Sequence, residues 1–355
     1  MRARTLGAAM LCAALVGCAG PVDDGGKGDG TAATKYTKVT LASVNNMMHL
    51  ADFVAVQKGF FTKHGLDVRL DVLSSGSALN KALQSGNAEF TGTGSTSIPL
   101  ARNGGIDAQL VAPAMNDATT VRYAGPLGII GRKDRGVRPN DPSSLVGKKI
   151  AALSGSTNEE YLKRYLEKHD IALDDVSIVP LTTEDHPVSL KQGDVDAVSS
   201  WEPYVSQEIS ELGNNAAVVS RGDPLIGYFL GVGALRDTIG KRGDVMAKFA
   251  AGMAETMHWM RQHPEEAAAQ AVNFINGLKL ADAKAAMPHL KFDPRITKCT
   301  VKAFDEVSAE YLRAGQIEKK VPGEDMVDTS FMEKVEKENP EWFADLPPLP
   351  ETCRD

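Results

Sequence analysis

Short apolar runs alternate with amphipathic helical patterns from about residue 38 almost to residue 235, and this alternation limits the fold of the 355-residue chain more than any other feature. "KVTLAS", "DVRLDVL", "AEFTGTG" and "AQLVAPA" read as strands, separated by the helical text "HLADFVAVQKGFFTKHG", "SALNKALQSG" and "STSIPLARNGG". The pattern restarts near residue 126 with "LGIIGR", "KKIAAL", "TNEEYLKRYLEKHD", "VSIVPL", "PVSLKQG" and "DAVSSW". Strands separated by helical crossovers predict an α/β chain whose sheets contain parallel pairs. Beyond residue 236 apolar residues recur at spacings of three and four, which predicts helices.

The two halves echo each other. "KALQSGNAEFTGTGSTSIPLA" (81–101) and "VSLKQGDVDAVSSWEPYVSQ" (188–207) share a helix ending in Leu-x-x-Gly, an acidic residue, a short strand and a polar turn opening a helix. Two such halves facing each other place their turns at one cleft, beyond the carboxyl ends of strands where open α/β sheets bind ligands.

At the N-terminus, Arg2 and Arg4 precede the eleven apolar or small residues "LGAAMLCAALV". That run is about half of the ~20 residues a membrane span needs, and fits the core of a secretory signal. It ends at "LVGC", which resembles a bacterial lipoprotein box. Residues 1–17 are thus expected to be a signal peptide and Cys18 to carry lipid; an ordinary signal cut near Ala19 is the other reading. Residues 18–37 are rich in Gly, Asp and Thr and read as a flexible tether. Losing residues 1–17 removes two arginines and no acid, so the formal charge moves from −7 to −9. With no dense basic cluster left, nucleic acid and anionic lipid are poor partners. Of four cysteines, Cys299 and Cys353 remain after Cys12 and Cys18 are assigned, either as free thiols or as the bridge expected in an oxidising compartment.

One turn points to ligand chemistry. In "AALSGSTNEEYLKRYLEKH" a strand stops at Gly155 and a helix begins at once, which aims backbone N–H groups at an anion near Ser156 and Thr157. It is no phosphate-binding loop, because no second Gly and no Lys follow. Either residue can also simply cap its helix.

Taken in order, "VQKGFFTKHGLDVRL", "ALQSGNAEFTGTGS", "SSLVGKKIAALSGSTNEEYLKRYLEK", "GDVDAVSSWEPYV", "MRQHPEEAAAQA" and "YLRAGQIEKKVPGEDMVDTSFMEKV" resemble the solute-binding proteins of ATP-binding-cassette importers, in the branch serving taurine, alkanesulfonates, nitrate and thiamine precursors. The resemblance runs from about residue 38 to 335. It implies a two-lobed type II periplasmic-binding-protein fold with a hinged inter-lobe cleft: residues 38–124 and 234–355 as lobe I, 125–233 as lobe II. It also implies a soluble monomer that passes a solute to a permease and its ATPase. Carried over by position, Gly155, Ser156 and Thr157 hold an oxyanion in lobe II. Ser75, Gly76 and Ser77, with Gly94, Ser95 and Thr96, are the lobe I counterparts. Asn45, Asn46, Asn116 and Asp117 occupy equivalent loop positions, although each is as readily a turn residue. Trp201 is either an apolar wall for ligand or core, and Glu202 either a partner for a ligand ammonium or a cap. For Arg122, a hinge salt bridge competes with an anion contact.

The expected ligand is a small anionic or zwitterionic solute of the sulfonate or taurine kind; a neutral heterocycle such as a thiamine or riboflavin precursor is the alternative. No cofactor or metal is expected. "GSTNE" lacks the G-x-S-x-G nucleophile elbow, and His258 and His263 are wrongly spaced for a paired-histidine metal site, so catalysis is disfavoured. A non-transport sensor lobe would share the cleft and differ in partner.

Overall fold

The structure, a computed structural model, describes residues 36–73 and 76–354. The expected signal, Cys18, nearly all of the tether and Ser75 lie outside the described residues, as does the side chain of Ser77. The strands are β1 (Thr37–Val44), β2 (Leu66–Leu73), β3 (Phe90–Gly94), β4 (Ala108–Met115), β5 (Leu127–Arg132), β6 (Lys149–Ala152), β7 (Ser177–Pro180), β8 (Ala197–Trp201), β9 (Ala216–Arg221) and β10 (Leu230–Leu235). They form two five-stranded sheets of order β2-β1-β3-β10-β4 and β7-β6-β8-β5-β9.

Both sheets follow one plan. Three strands run parallel, β2-β1-β3 in one and β7-β6-β8 in the other. The fourth place is taken by an antiparallel strand that arrives from the other sheet, β10 after β9 and β5 after β4. β3 and β8 occupy equivalent positions, so the echo in sequence is an equivalence in space. Two expectations are corrected. The chain rejoins the first sheet at Leu230, paired with Gly94 and Met115, and not at residue 234. The helix expected over 49–65 is two helices, Leu50–Gln57 and Phe60–Lys63.

The long helix Gly243–Gln262 covers the first sheet with a row of buried apolar residues. Phe249 is fully buried and stacks between Phe90 (3.9 Å between centroids) and Phe61 (4.6 Å). Cys299 and Cys353 form a disulfide spanning 54 residues, which ties the C-terminal segment to the start of the helix Lys298–Arg313; a loop of that length contributes about 4 kcal/mol in the chain-entropy account. Arg261 grips the same segment through Asp345 and the Trp342 carbonyl. Among the described residues no helix is long and apolar enough to cross a membrane.

The second sheet encloses a polar chain. Ser200 Oγ lies 2.5 Å from Glu208 Oε1 and 2.8 Å from His186 Nδ1, and all three residues are fully buried. Burial drives the imidazole down to about 4, so it is neutral near pH 7, and raises the Glu208 carboxyl well above its ordinary range; Ser200 links the two.

Two predictions follow from these interiors. Phe249→Ala removes the middle ring of the stack and is expected to cost about 3–5 kcal/mol, read as a lower urea midpoint with the slope unchanged. His186 binds its proton more weakly folded than unfolded, so stability is intact above about pH 6.5 and falls as pH drops toward 4, by on the order of 3 kcal/mol. Urea titrations at pH 7 and pH 5 should show about 2 kcal/mol of this loss in the wild type and less in His186→Gln.

Candidate functional site

Segments 116–126 and 222–229 carry the chain between the sheets. They are bonded to each other where the Tyr228 N–H donates to the Tyr123 carbonyl at 3.0 Å. A third stretch joins them: Asn116 donates its N–H to Lys291 O (2.9 Å), and the Tyr123 hydroxyl donates to His289 O (2.6 Å).

The end of β3 is locked onto this waist. The Ser95 N–H donates to Phe229 O (3.0 Å), its hydroxyl donates to Gly227 O (2.6 Å), and the Phe229 N–H donates back to Ser95 Oγ (3.2 Å). A Cβ on Gly94 would lie 2.2 Å from Phe229 O, so only glycine allows the approach. The Ser95 hydroxyl is thus bonded on both sides, in a scaffold that presents Thr96.

The turn after β6 faces Thr96. Gly155 takes φ +70°, and Ser156 is extended before the helix Thr157–Lys168. Ser156 Oγ lies 2.6 Å from both Leu153 O and Asn158 Oδ1. Asn158, fully buried, anchors the turn: its amide donates to Thr183 Oγ1 and its side-chain oxygen accepts the Leu153 N–H. The Gly155 N–H already has an anion, the Glu159 carboxylate at 2.8 Å, which also pairs with Lys163.

Between these turns lies a cavity of about 70 Å³ lined by Thr96, Gly155, Ser156, Thr157, Gly227 and Tyr311, among others. Glu159, Glu160 and Glu310 border it with Lys163. Arg164 pairs with Glu160 (2.7 Å) and with Glu310, joining the helix after β6 to the helix Lys298–Arg313. A wider recess of about 480 Å³ shares Ile226, Gly227, Val307 and Glu310 and extends past Arg122, which forms the expected ion pair, to Glu306 at 3.0 Å. The cleft thus offers hydroxyl and backbone donors from two sheets inside a ring of paired charges.

The remaining candidates separate. Asn45 donates to Phe274 O (2.6 Å), and its side-chain oxygen is buried with no partner among the described residues. Asn46 caps the turn Met47–His49, accepting from the Met48 and His49 N–H groups. Gly76 opens the helix Gly76–Gln84. Asp117 accepts from Thr119 in a local turn. Asn116 is buried and donates to Asp293 O and Arg295 O. Trp201 is half-buried, pairs with Leu127 and packs on the core. Glu202 is fully buried, ion-paired with Arg221 and bonded to the Ser206 N–H, as in the cap reading. Burial raises its carboxyl against the opposing pull of Arg221.

Three residues escaped the sequence reading. Glu159 stands three positions after Ser156, the Ser-x-x-Glu spacing of a capping box, and was legible. Asn158 and Tyr228 gave no signal: Asn158 reaches Thr183, 25 positions on, and Tyr228 reaches Met48, 180 positions back.

Comparison with known proteins places the chain. The family described as "NMT1/THI5 like" matches residues 46–267. A Bacillus subtilis (strain 168) protein with the provisional name aliphatic sulfonates-binding protein is 25% identical over 295 residues, 81% of this chain and 85% of its own. The alkanesulfonate-binding protein SsuA from Xanthomonas axonopodis pv. citri, solved bound to MOPS, superposes with a TM-score of 0.65 at 18% identity, covering 82% of this chain and 98% of its own. The desulfurization enzyme DSZB has the same fold, with a TM-score of 0.62 at 14% identity over 85% of this chain and 99% of its own. Matched by that family's profile over well more than half its length, and folded as two equivalent mixed sheets, the chain belongs to the NMT1/THI5-like family.

Proposed function

We propose that the protein is an extracytoplasmic solute-binding lipoprotein that captures a small sulfonate-like or zwitterionic solute and delivers it to an ABC permease and its ATPase. The observation that carries this reading is the meeting of Thr96, after β3, with the Gly155-Ser156-Thr157 turn, after β6, on one cavity at the waist. A ligand touching both turns favours the arrangement in which the sheets close on it. The B. subtilis relative's name and the MOPS bound to the X. axonopodis protein support a sulfonate head group. Three carboxylates against Lys163 and Arg164 favour a ligand that also carries an ammonium. In this reading the lobes are residues 38–124 with 230–355, and 125–229; Cys18 holds the lipid, and the protein works as a monomer at a bacterial membrane. The reading is capture without chemistry, although DSZB shares the fold.

The test is a thermal-shift screen of the protein lacking residues 1–18 against taurine, alkanesulfonates, aromatic sulfonates and carboxylates, nitrate and thiamine or riboflavin precursors. A ligand at 100 times its dissociation constant adds about 2.7 kcal/mol of stability. A hit among the oxyanions that is lost in Thr157→Val is expected. Hits confined to neutral heterocycles would contradict the oxyanion reading, and turnover of the bound compound would contradict capture alone. Glu159→Gln removes the carboxylate that competes for the Gly155 N–H, so isothermal titration should find a purely anionic sulfonate bound about fivefold more tightly, equivalent to ~1 kcal/mol.

A further inference from the structure

Tyr228 stands where the two sheets and the waist come together. Its neighbours Gly227 and Phe229 are both fastened to Ser95, and its own N–H to Tyr123 O. With the backbone held on three sides, the side chain has little freedom to swing away. The residue is 6% exposed. Its hydroxyl donates to Met48 Sδ at 3.3 Å, in the turn after β1, and Thr157, in the turn after β6, lies within hydrogen-bonding reach of the same oxygen. One phenol therefore bridges the turn after β1 and the cavity-lining turn after β6.

The bond to Met48 is a poor use of that donor. A phenol O–H is a strong donor, whereas a thioether sulfur is a weak acceptor. Burial also raises the phenol further above its ordinary range, so it keeps its proton at any physiological pH. A strong, permanently protonated donor resting on a weak acceptor gains most when an anionic oxygen replaces the sulfur, since hydrogen bonds to ionised oxygen are shorter and about twice as strong as neutral ones. The Thr157 hydroxyl is the other acceptor at hand, and it too is uncharged.

Resting on the capture reading above, we propose that the Tyr228 hydroxyl is the specificity-determining donor to the ligand's oxyanion head group, leaving Met48 Sδ when ligand enters. The head group then takes Tyr228 from the waist and Thr157 from the turn after β6, which selects ligands presenting at least two anionic oxygens. A neutral heterocycle gains less from the exchange, because its acceptors are uncharged. Met48 is the stand-in acceptor that satisfies the phenol while the site is empty.

The experiment is isothermal titration of taurine, ethanesulfonate, MOPS and nitrate into the purified wild type, Tyr228→Phe and Met48→Leu. Loss of a hydrogen bond to a charged group predicts roughly ten- to a hundredfold weaker oxyanion binding in Tyr228→Phe, with the melting of the free protein little changed. Met48→Leu removes the competing acceptor and should bind several-fold more tightly. Unchanged affinity in Tyr228→Phe, with oxyanions still bound by the wild type, overturns the inference and leaves the capture reading intact. No oxyanion binding by the wild type overturns both. If Tyr228→Phe folds poorly, ultraviolet difference absorption of the wild type decides: saturating ligand should perturb the tyrosine band, and a flat difference spectrum overturns the inference.

Discussion

The buried hydroxyl of Ser95 is the contact on which the rest of the cleft depends. It donates to Gly227 O and accepts from the Phe229 N–H, while the backbone of Ser95 closes a second bond to Phe229. Those bonds make the end of β3 and the returning segment 227–229 a single unit, and the missing side chain at Gly94 is what lets them approach. Thr96 continues from one side of that unit and Tyr228 from within it. The position of each functional donor at the waist therefore follows from one backbone-to-serine lock, in a place where unpaired polar groups would cost about 1–3 kcal/mol each.

The electrostatics of the site follow the same economy of satisfied groups. The start of the helix Thr157–Lys168 presents positive potential, and Glu159 from its own first turn supplies the negative partner through the Gly155 N–H. Lys163 and Arg164 balance Glu159, Glu160 and Glu310 around the cavity. On the proposed account a ligand does not fill a bare positive hole but displaces the Glu159 carboxylate from the Gly155 N–H and Met48 Sδ from the Tyr228 hydroxyl. Selectivity then rests on differences between near-equal contacts, which small changes in head-group charge can decide.

Much of the architecture was legible because it rests on local periodicity. Alternation in "DVRLDVL" and the helical spacing in "TNEEYLKRYLEKHD" depend only on neighbours in sequence, and the Leu-x-x-Gly echo marked β3 and β8 as equivalent before their sheets were known. β10 was missed because "LGVGAL" is glycine-rich and has no strong strand character; it is held by antiparallel partners on both sides. Elimination among four cysteines left Cys299 and Cys353 as either free thiols or a pair, and the structure shows the bridge. The site was only half legible. Gly155 to Thr157 announce a helix start, but the scaffold roles of Ser95, Asn116 and Glu202 depend on partners over 130 residues away, nearly 180 residues away and across the sheet. Tyr228 was invisible for the same reason: nothing in "LIGYFLG" shows that its phenol meets Met48, 180 positions earlier.

The central claim is that an oxyanion is held between the two sheets and draws them together. Small-angle X-ray scattering of the protein with and without a saturating oxyanion tests it most directly. The account predicts a smaller radius of gyration in the bound protein than in the free one. Superimposable curves from the free protein and from protein shown by titration to be fully occupied would contradict it.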